Sequence, residues 1–296
     1  MSYVYVGTDN FAASVMQQLV ESGFPPALVI SRPDAPKGRG RKLGPPPVVE
    51  AAREAGIEVI QPEDIGSVEV DEAIEGIGPS CLALCAYGAI IKEPLLSKRP
   101  ILNLHPSLLP RWRGATPIEQ ALLAGDAESG VSIIRLVEEL DAGPVQAQEA
   151  VPIEQTDDFE TLSAKLIQAG AVLLKAAIEK AEDGSLEFVD QADDGATYAE
   201  RIESADRFLD QTGPVLDAER RVRALTPHVG ARLALADAEP IGVRKASIST
   251  AEVAPGEVLF GSDELLVGFS DGTLKVERVL PPGGREMDTA DWLRGR

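Results

Sequence analysis

Short apolar runs alternate with segments of helical spacing through the first two thirds of the chain. Tyr3-Val4-Tyr5-Val6 reads as a strand, and residues 11–21 as a helix with Ala12, Val15, Met16, Leu19 and Val20 on one face. Asp9 or Asn10 can cap that helix and Gly23 ends it. Leu28-Val29-Ile30 completes a βαβ unit. The alternation continues with helices over 48–55, 70–77 and 90–96, and strands over 57–60, 81–87 and from Ile101 to His105. A helix over 116–124 carries Pro117 in its first turn, and strands over 130–137 and 145–151 read as a hairpin. A helix over 159–183 follows, with Leu162, Leu166, Ala169, Leu173, Ala176 and Ala177 on one face. Such a pattern specifies a Rossmann-like α/β fold, a mostly parallel sheet with helices on both faces.

The pattern changes after Gly184. Residues 185–210 are polar without sustained periodicity and read as a linker. Past a helix over 215–225 come five short strands, over 231–235, 241–248, 257–260, 265–269 and 274–280, with Ser270-Asp271-Gly272-Thr273 as a hairpin signal. A small OB-like β-barrel is the expectation. The division is therefore a catalytic domain over 1–184, a linker over 185–210 and a barrel domain over 211–296.

Composition narrows the classes. The chain has 296 residues, 44% of them hydrophobic, and a mean hydropathy of −0.03, which suits a soluble globular protein. No apolar run approaches the roughly 20 residues of a membrane span, and no basic region precedes an apolar one at the start, so a cytoplasmic protein without membrane attachment is expected. Cys81 and Cys85, the only cysteines, sit on an apolar strand as two small buried side chains; with two histidines in all, no metal site is expected. The formal charge of −20 argues against nucleic acid as a general partner. One segment departs from it. Ser31 to Lys42 carries Arg32, Lys37, Arg39, Arg41 and Lys42 against Asp34 alone, among glycines and prolines that forbid regular structure. It reads as an exposed mobile loop, either merely solvated or built to grip a polyanion.

The chemistry concentrates between Ile101 and Pro144. A strand ending at Asn103-Leu104-His105 puts Asn103 and His105 on one face, where ligands of open α/β sheets bind. Asp141 follows on Leu140-Asp141-Ala142-Gly143-Pro144. The trio offers a neutral donor, a group titrating near neutrality and a carboxylate to orient it. It has no nucleophile: Ser107 is near, but the strand-to-helix elbow of a Ser-His-Asp enzyme is missing. The trio suits a reaction in which the substrate brings the nucleophile and the protein stabilises an oxyanion and moves a proton. Spacing alone leaves open that His105 is a structural histidine and that Asn103 and Asp141 merely close turns.

The run from Asn103-Leu104-His105-Pro106-Ser107-Leu108-Leu109-Pro110 through Arg111-Trp112-Arg113-Gly114-Ala115, with Leu140-Asp141-Ala142-Gly143 downstream, resembles the signature of the folate-dependent formyltransferases. The resemblance implies that Asn103 and His105 polarise the formyl oxygen of 10-formyltetrahydrofolate and that Asp141 keeps His105 protonated and assists proton removal from an amine. It also implies that Ser107, Leu108, Leu109 and Pro110 line the folate site. Within those enzymes, Gly7-Thr8-Asp9-Asn10-Phe11-Ala12, the 32–43 loop, Ala86-Tyr87-Gly88 and Thr197-Tyr198-Ala199-Glu200 resemble the methionyl-tRNA formyltransferase family. That branch implies a monomer acting on initiator methionyl-tRNA, with Lys37, Arg39, Arg41 and Lys42 on the acceptor end. Two rivals are a formyltransferase for a small amine, which would not need the basic loop, and a silent RNA- or folate-binding protein. Ala224-Leu225-Thr226-Pro227-His228-Val229-Gly230-Ala231 departs from the N-P-W-P type segment of the family, and His228 is expected at the surface without a partner.

Overall fold

The computed structural model describes residues 2–37, 42–192, 194–236 and 238–295, without the Lys37 side chain. Two compact units divide the chain: Met1–Gly114 with Ser129–Pro152 and Ser163–Tyr198, and Ala115–Glu128 with Ile153–Leu162 and Ala199–Arg296. In chain order the elements are β1 (Val4–Gly7), α1 (Asn10–Glu21), β2 (Leu28–Ile30), β3 (Ala35–Lys37), β4 (Lys42–Gly44), α2 (Pro47–Glu54), β5 (Val59–Ile60), α3 (Val68–Ile77) and β6 (Leu82–Cys85). Next come α4 (Leu95–Lys98), β7 (Ile101–His105), β8 (Arg113–Gly114), α5 (Pro117–Ala124), β9 (Glu128–Arg135), β10 (Val145–Pro152), α6 (Phe159–Asp183) and β11 (Tyr198–Ala199). The last are α7 (Val215–Leu225), β12 (Ala231–Leu235), β13 (Ala238–Ser249), β14 (Val258–Phe260), β15 (Leu265–Gly268), β16 (Thr273–Leu280), β17 (Met287–Asp288) and α8 (Thr289–Arg294).

The first unit is built on a seven-stranded sheet in the order β10-β9-β7-β6-β1-β2-β5. β5, β2, β1, β6 and β7 run parallel, and β9 is antiparallel to β7. Both faces are covered, as continuous apolar strands require. Tyr3, Tyr5, Cys81, Ala83, Cys85, Leu102 and Leu104 pack on one side with residues of α1, α2 and α6. Val4, Val6, Leu82, Leu84 and Ile101 pack on the other with Val70 and Ile74 of α3. The two cysteines thus share a face, buried and unpaired. Asp9 caps α1 by accepting from the Ala12 amide at 2.9 Å. Gly7 is needed for close packing, since a Cβ there would stand 2.9 Å from both the Ala12 Cβ and the Cys85 carbonyl. By length and composition α6 is the one helix among the described residues able to cross a membrane; Leu162, Leu166, Leu174, Ala177 and Ile178 are instead fully buried in the fold.

Three expectations change. The helix over 90–96 is only the single turn α4, because Pro94 lacks an amide proton and its ring would clash inside a longer helix. The basic segment is not wholly irregular: β3 and β4 form an antiparallel ribbon pairing Ala35 with Gly44, Pro36 with Leu43 and Lys37 with Lys42. A two-stranded ribbon has free edges, where proline is tolerated. Residues 185–198 belong to the first unit and are held to it, Val189 bridging to Val145 and the Thr197 carbonyl accepting from the Arg113 amide at 2.8 Å.

The second unit packs α7 on an antiparallel sheet in the order β12-β13-β16-β15-β14, with β17 paired to β16. Val215, Ala218 and Val222 meet Leu233, Val243, Phe269 and Val276 in one core. The expected hairpin joins β15 and β16, and its Asp271 carboxylate accepts from the Val215 amide at 2.8 Å, holding the start of α7. Register shifts in β12 and β13 curl the sheet, and no ladder joins β12 to β14 among the described residues. Neither β17 nor α8 is foreshadowed by the hydrophobic pattern. His228 is not a free surface residue. Its Nε2 lies 2.9 Å from Glu119 Oε1, and its ring stacks on Phe159 with centroids 3.6 Å apart. The partners come from α5 and the start of α6, more than 60 residues away in sequence, where no local pattern could announce them.

Candidate active site

β1 leads outward through β2 to β5, while the return begins at β6 and passes to β7. The crevice beyond the carboxyl ends of β1, β6 and β7 is therefore a topological switch point, the usual ligand position in such sheets. Asn103 and His105 stand at that end of β7. With Ile101 they occupy alternate positions of a strand buried along its whole length, so both point to one face.

Asp141 reaches them from the turn between β9 and β10. Its Oδ1 accepts from Asn103 Nδ2 at 3.4 Å and its Oδ2 lies 3.6 Å from His105 Nδ1. Oδ2 also accepts from the Gly114 amide at 2.9 Å, a second charge-assisted bond. The His105 and Asp141 side chains are only 6% and 11% exposed, so little water screens them. His105 Nε2 donates to the Trp112 carbonyl at 2.8 Å. Both ring nitrogens thus face oxygen atoms of the protein. Asp141 and Trp112 carry positive φ, +48° and +64°, a region that non-glycine residues rarely occupy away from functional sites.

Ser107 does not face His105. Its hydroxyl donates to the Arg111 carbonyl at 2.6 Å, so no hydroxyl nucleophile is presented. The 107–110 segment is held from below. The Ser132 hydroxyl donates to the Ser107 carbonyl at 2.6 Å and accepts from the Leu109 amide at 3.1 Å, and Gln148 Nε2 donates to the Leu109 carbonyl at 2.8 Å. Ser107 and Leu109 are buried, whereas Leu108 and Pro110 are half-buried.

Sequence reasoning missed Ser132 and Gln148, and it missed Gln191. Gln191 Nε2 donates to the carbonyls of Asp141 and Gly143, both at 2.7 Å, and its Oε1 accepts from Arg113 Nε and Nη2 at 3.1 and 2.8 Å. Of the basic-loop candidates, Lys42 is exposed on β4, while Arg39, Arg41 and the Lys37 side chain lie outside the described residues. No cluster of three His, Cys, Asp or Glu able to hold a metal occurs among the described residues.

Residues 2–178 match the formyl transferase family and residues 201–296 the formyl transferase C-terminal domain. A methionyl-tRNA formyltransferase of Halorhodospira halophila is 41% identical over 99% of this chain and 96% of its own length. One from Streptomyces coelicolor is 39% identical over 100% and 96%. Among solved structures, the N-formyltransferase from Helicobacter canadensis in complex with folinic acid and dTDP-3-aminofucose shares the fold, with a TM-score of 0.68 at 18% identity over 93% of this chain and 98% of its own.

Proposed function

The chain belongs to the methionyl-tRNA formyltransferase family, and on that footing we propose that it transfers a formyl group from 10-formyltetrahydrofolate to the α-amino group of methionyl initiator tRNA. The observation that carries the reading is the convergence of Asn103, His105 and Asp141, with the Ser107 hydroxyl turned away to the Arg111 carbonyl. Attack by the amine nitrogen on the formyl carbon forms the new C–N bond and moves an electron pair onto the formyl oxygen. The Asn103 amide and the imidazolium of His105 meet that charge, a contribution of about 3 kcal/mol for one well-placed donor. Asp141 balances the imidazolium and draws the proton from the attacking amine, while the old bond to the donor nitrogen breaks and that nitrogen gains a proton. An α-amine has a pKa of about 8, so a useful fraction is neutral near pH 7.

Leu108 and Pro110 offer apolar edges to the folate ring, on a segment already stiffened by Ser132 and Gln148. Lys37, Arg39, Arg41 and Lys42 hold acceptor-end phosphates. The ribbon register pairs the backbones of Lys37 and Lys42. The remaining acidic surface disfavours RNA bound elsewhere. In domain terms, 1–184 with the segment to Tyr198 carries the chemistry, the remainder of 185–210 connects, and 211–296 is a curled, OB-like β domain for tRNA. The protein acts as a cytoplasmic monomer, without a metal. The test is incubation with the formyl donor and either charged initiator tRNA or small amines such as amino-sugar nucleotides and glycinamide ribonucleotide, with products read by mass. Formyl-methionyl-tRNA as the dominant product is expected; a formylated small amine alone would overturn the reading.

A further inference from the structure

Asp141 sits on a turn that does little to hold itself. The Ala142 amide reaches the Glu139 carbonyl only at 3.4 Å, and the αL backbone of Asp141 is uphill for a residue with a Cβ. The side chain has one anchor outside the catalytic trio, the Gly114 amide at 2.9 Å. The main chain has another. Each of the two Nε2 protons of Gln191 goes to one carbonyl of the turn, Asp141 and Gly143, at 2.7 Å. Gln191 Oε1 takes both Nε and Nη2 of Arg113, whose side chain is buried and makes no ion pair among the described residues. The amide orientation is forced, because a guanidinium can only donate and a carbonyl can only accept.

These bonds close a ring. Gly114 grips the Asp141 carboxylate, and Arg113, one residue earlier, grips Gln191, which grips the Asp141 carbonyl. The positive guanidinium polarises the Gln191 amide and strengthens its two donated bonds. We propose that Gln191 is a positioning residue for formyl transfer, holding the Asp141 turn so that the carboxylate stays between Asn103 and His105. Among the described residues, no hydrogen bond joins Gln191 to any of the three side chains. Gln191 acts through the backbone of Asp141. The inference rests on the catalytic assignment above.

The test is a double-mutant cycle between Gln191→Met and Asp141→Asn, following kcat and the KM values for tRNA and formyl donor. Methionine keeps the length of the side chain and removes all four hydrogen bonds. In the wild-type background kcat should fall on the order of 100-fold, the usual cost of misplacing a reacting group by about 1 Å, with both KM values unchanged within about twofold. In the Asp141→Asn background the same change should cost less than about threefold, because the group it positions is already gone. Equal losses in both backgrounds, or a change in KM alone, would overturn the proposal. If Asp141→Asn leaves kcat intact, the catalytic assignment fails first. If Asp141→Asn is slow and Gln191→Met is not, only the positioning role fails. Gln191→Glu guards against misfolding, since it keeps an acceptor for the buried Arg113 while setting an oxygen against both carbonyls. It should melt near the wild type and be at least as slow as the methionine variant; wild-type kcat in a folded Gln191→Glu protein sinks the idea.

Discussion

Asp141→Asn isolates the charge at the centre of the site while preserving its shape. The carboxylate accepts twice, from Asn103 Nδ2 at 3.4 Å and from the Gly114 amide at 2.9 Å, and lies 3.6 Å from His105 Nδ1. Asparagine has one oxygen, so either orientation turns an amino group onto a donor. If the oxygen keeps Gly114, the Asn103 bond is lost; if it keeps Asn103, the Gly114 amide and the imidazole face an NH2. One charge-assisted hydrogen bond is worth about 1.5–3 kcal/mol, and two unit charges about 4 Å apart attract by about 4 kcal/mol at an effective dielectric near 20. The second figure applies only in so far as the imidazolium is present in the transition state. The hydrogen bond with about half of the charge term puts the loss at about 3.5–5 kcal/mol, or between about two and a half and four decades in kcat. Single-turnover formylation of charged tRNA, measured from acid to alkaline pH with saturating donor, reads it directly. The expected result is kcat on the order of 1000-fold lower at near-constant KM. A kcat within about tenfold of wild type, or a loss confined to KM, would refute the electrostatic role of Asp141.

Replacing Arg39, Arg41 and Lys42 together with alanine should raise KM for tRNA, leave kcat alone and flatten the salt dependence of kcat/KM by about two to three in log–log slope; an unaltered slope dismisses the loop as a phosphate grip. Gly143→Ala would set a Cβ 1.8 Å from the Arg135 carbonyl, so the Asp141 turn must move by about 1 Å and kcat should drop on the order of 100-fold in a folded protein. Wild-type kinetics in that variant would show the turn's position to be immaterial. Burial pushes the Cys81 thiol up to about 12 and raises Cys85 as well, so neither should react with a thiol reagent at pH 8 until the protein unfolds. Labelling of the native protein within minutes would contradict that burial. His228→Ala leaves the nearly buried Glu119 without its partner and strips a ring from Phe159, so denaturation should cost about 2–3 kcal/mol less; a shift under about 0.5 kcal/mol would return His228 to the status of a surface residue.

The sheet was readable from the sequence because its strands are buried on both faces. Such strands appear as unbroken apolar runs, and Tyr3-Val4-Tyr5-Val6, the Cys81–Cys85 run and Ile101-Leu102 each fall on one. Elements without a core to face left no such trace. β3 and β4, Ala-Pro-Lys and Lys-Leu-Gly, are short, and nothing apolar alternates along them. β17 has two residues, too short for any period to show. The helix expected over 90–96 is longer than α4 because Ile91 and Leu95 stand at helical spacing and are both buried, while Pro94 between them settles the backbone otherwise. His228 went astray for a related reason: its partners arrive from elements distant in the chain.

The site divides along the same physical line. Asn103 and His105 are legible because a strand delivers alternate side chains to one face, so spacing alone brings them together. Asp141 is 38 residues from Asn103, and spacing marks it only as a turn residue, since an aspartate in αL conformation looks like any aspartate in a turn; the Leu140-Asp141-Ala142-Gly143 resemblance is what singles it out. Gln191 lies 50 residues beyond Asp141 in a stretch whose polarity reads as a linker. Its partners there are main-chain carbonyls, which every residue possesses, so no pairing of side-chain chemistry signals the contact. Polar segments that fail every periodicity test are therefore where the hands that hold a catalytic turn are best hidden. The strain of a positive φ at Asp141 is what makes such a hand necessary: without donors to its carbonyls, the turn gains by relaxing, and the carboxylate moves with it.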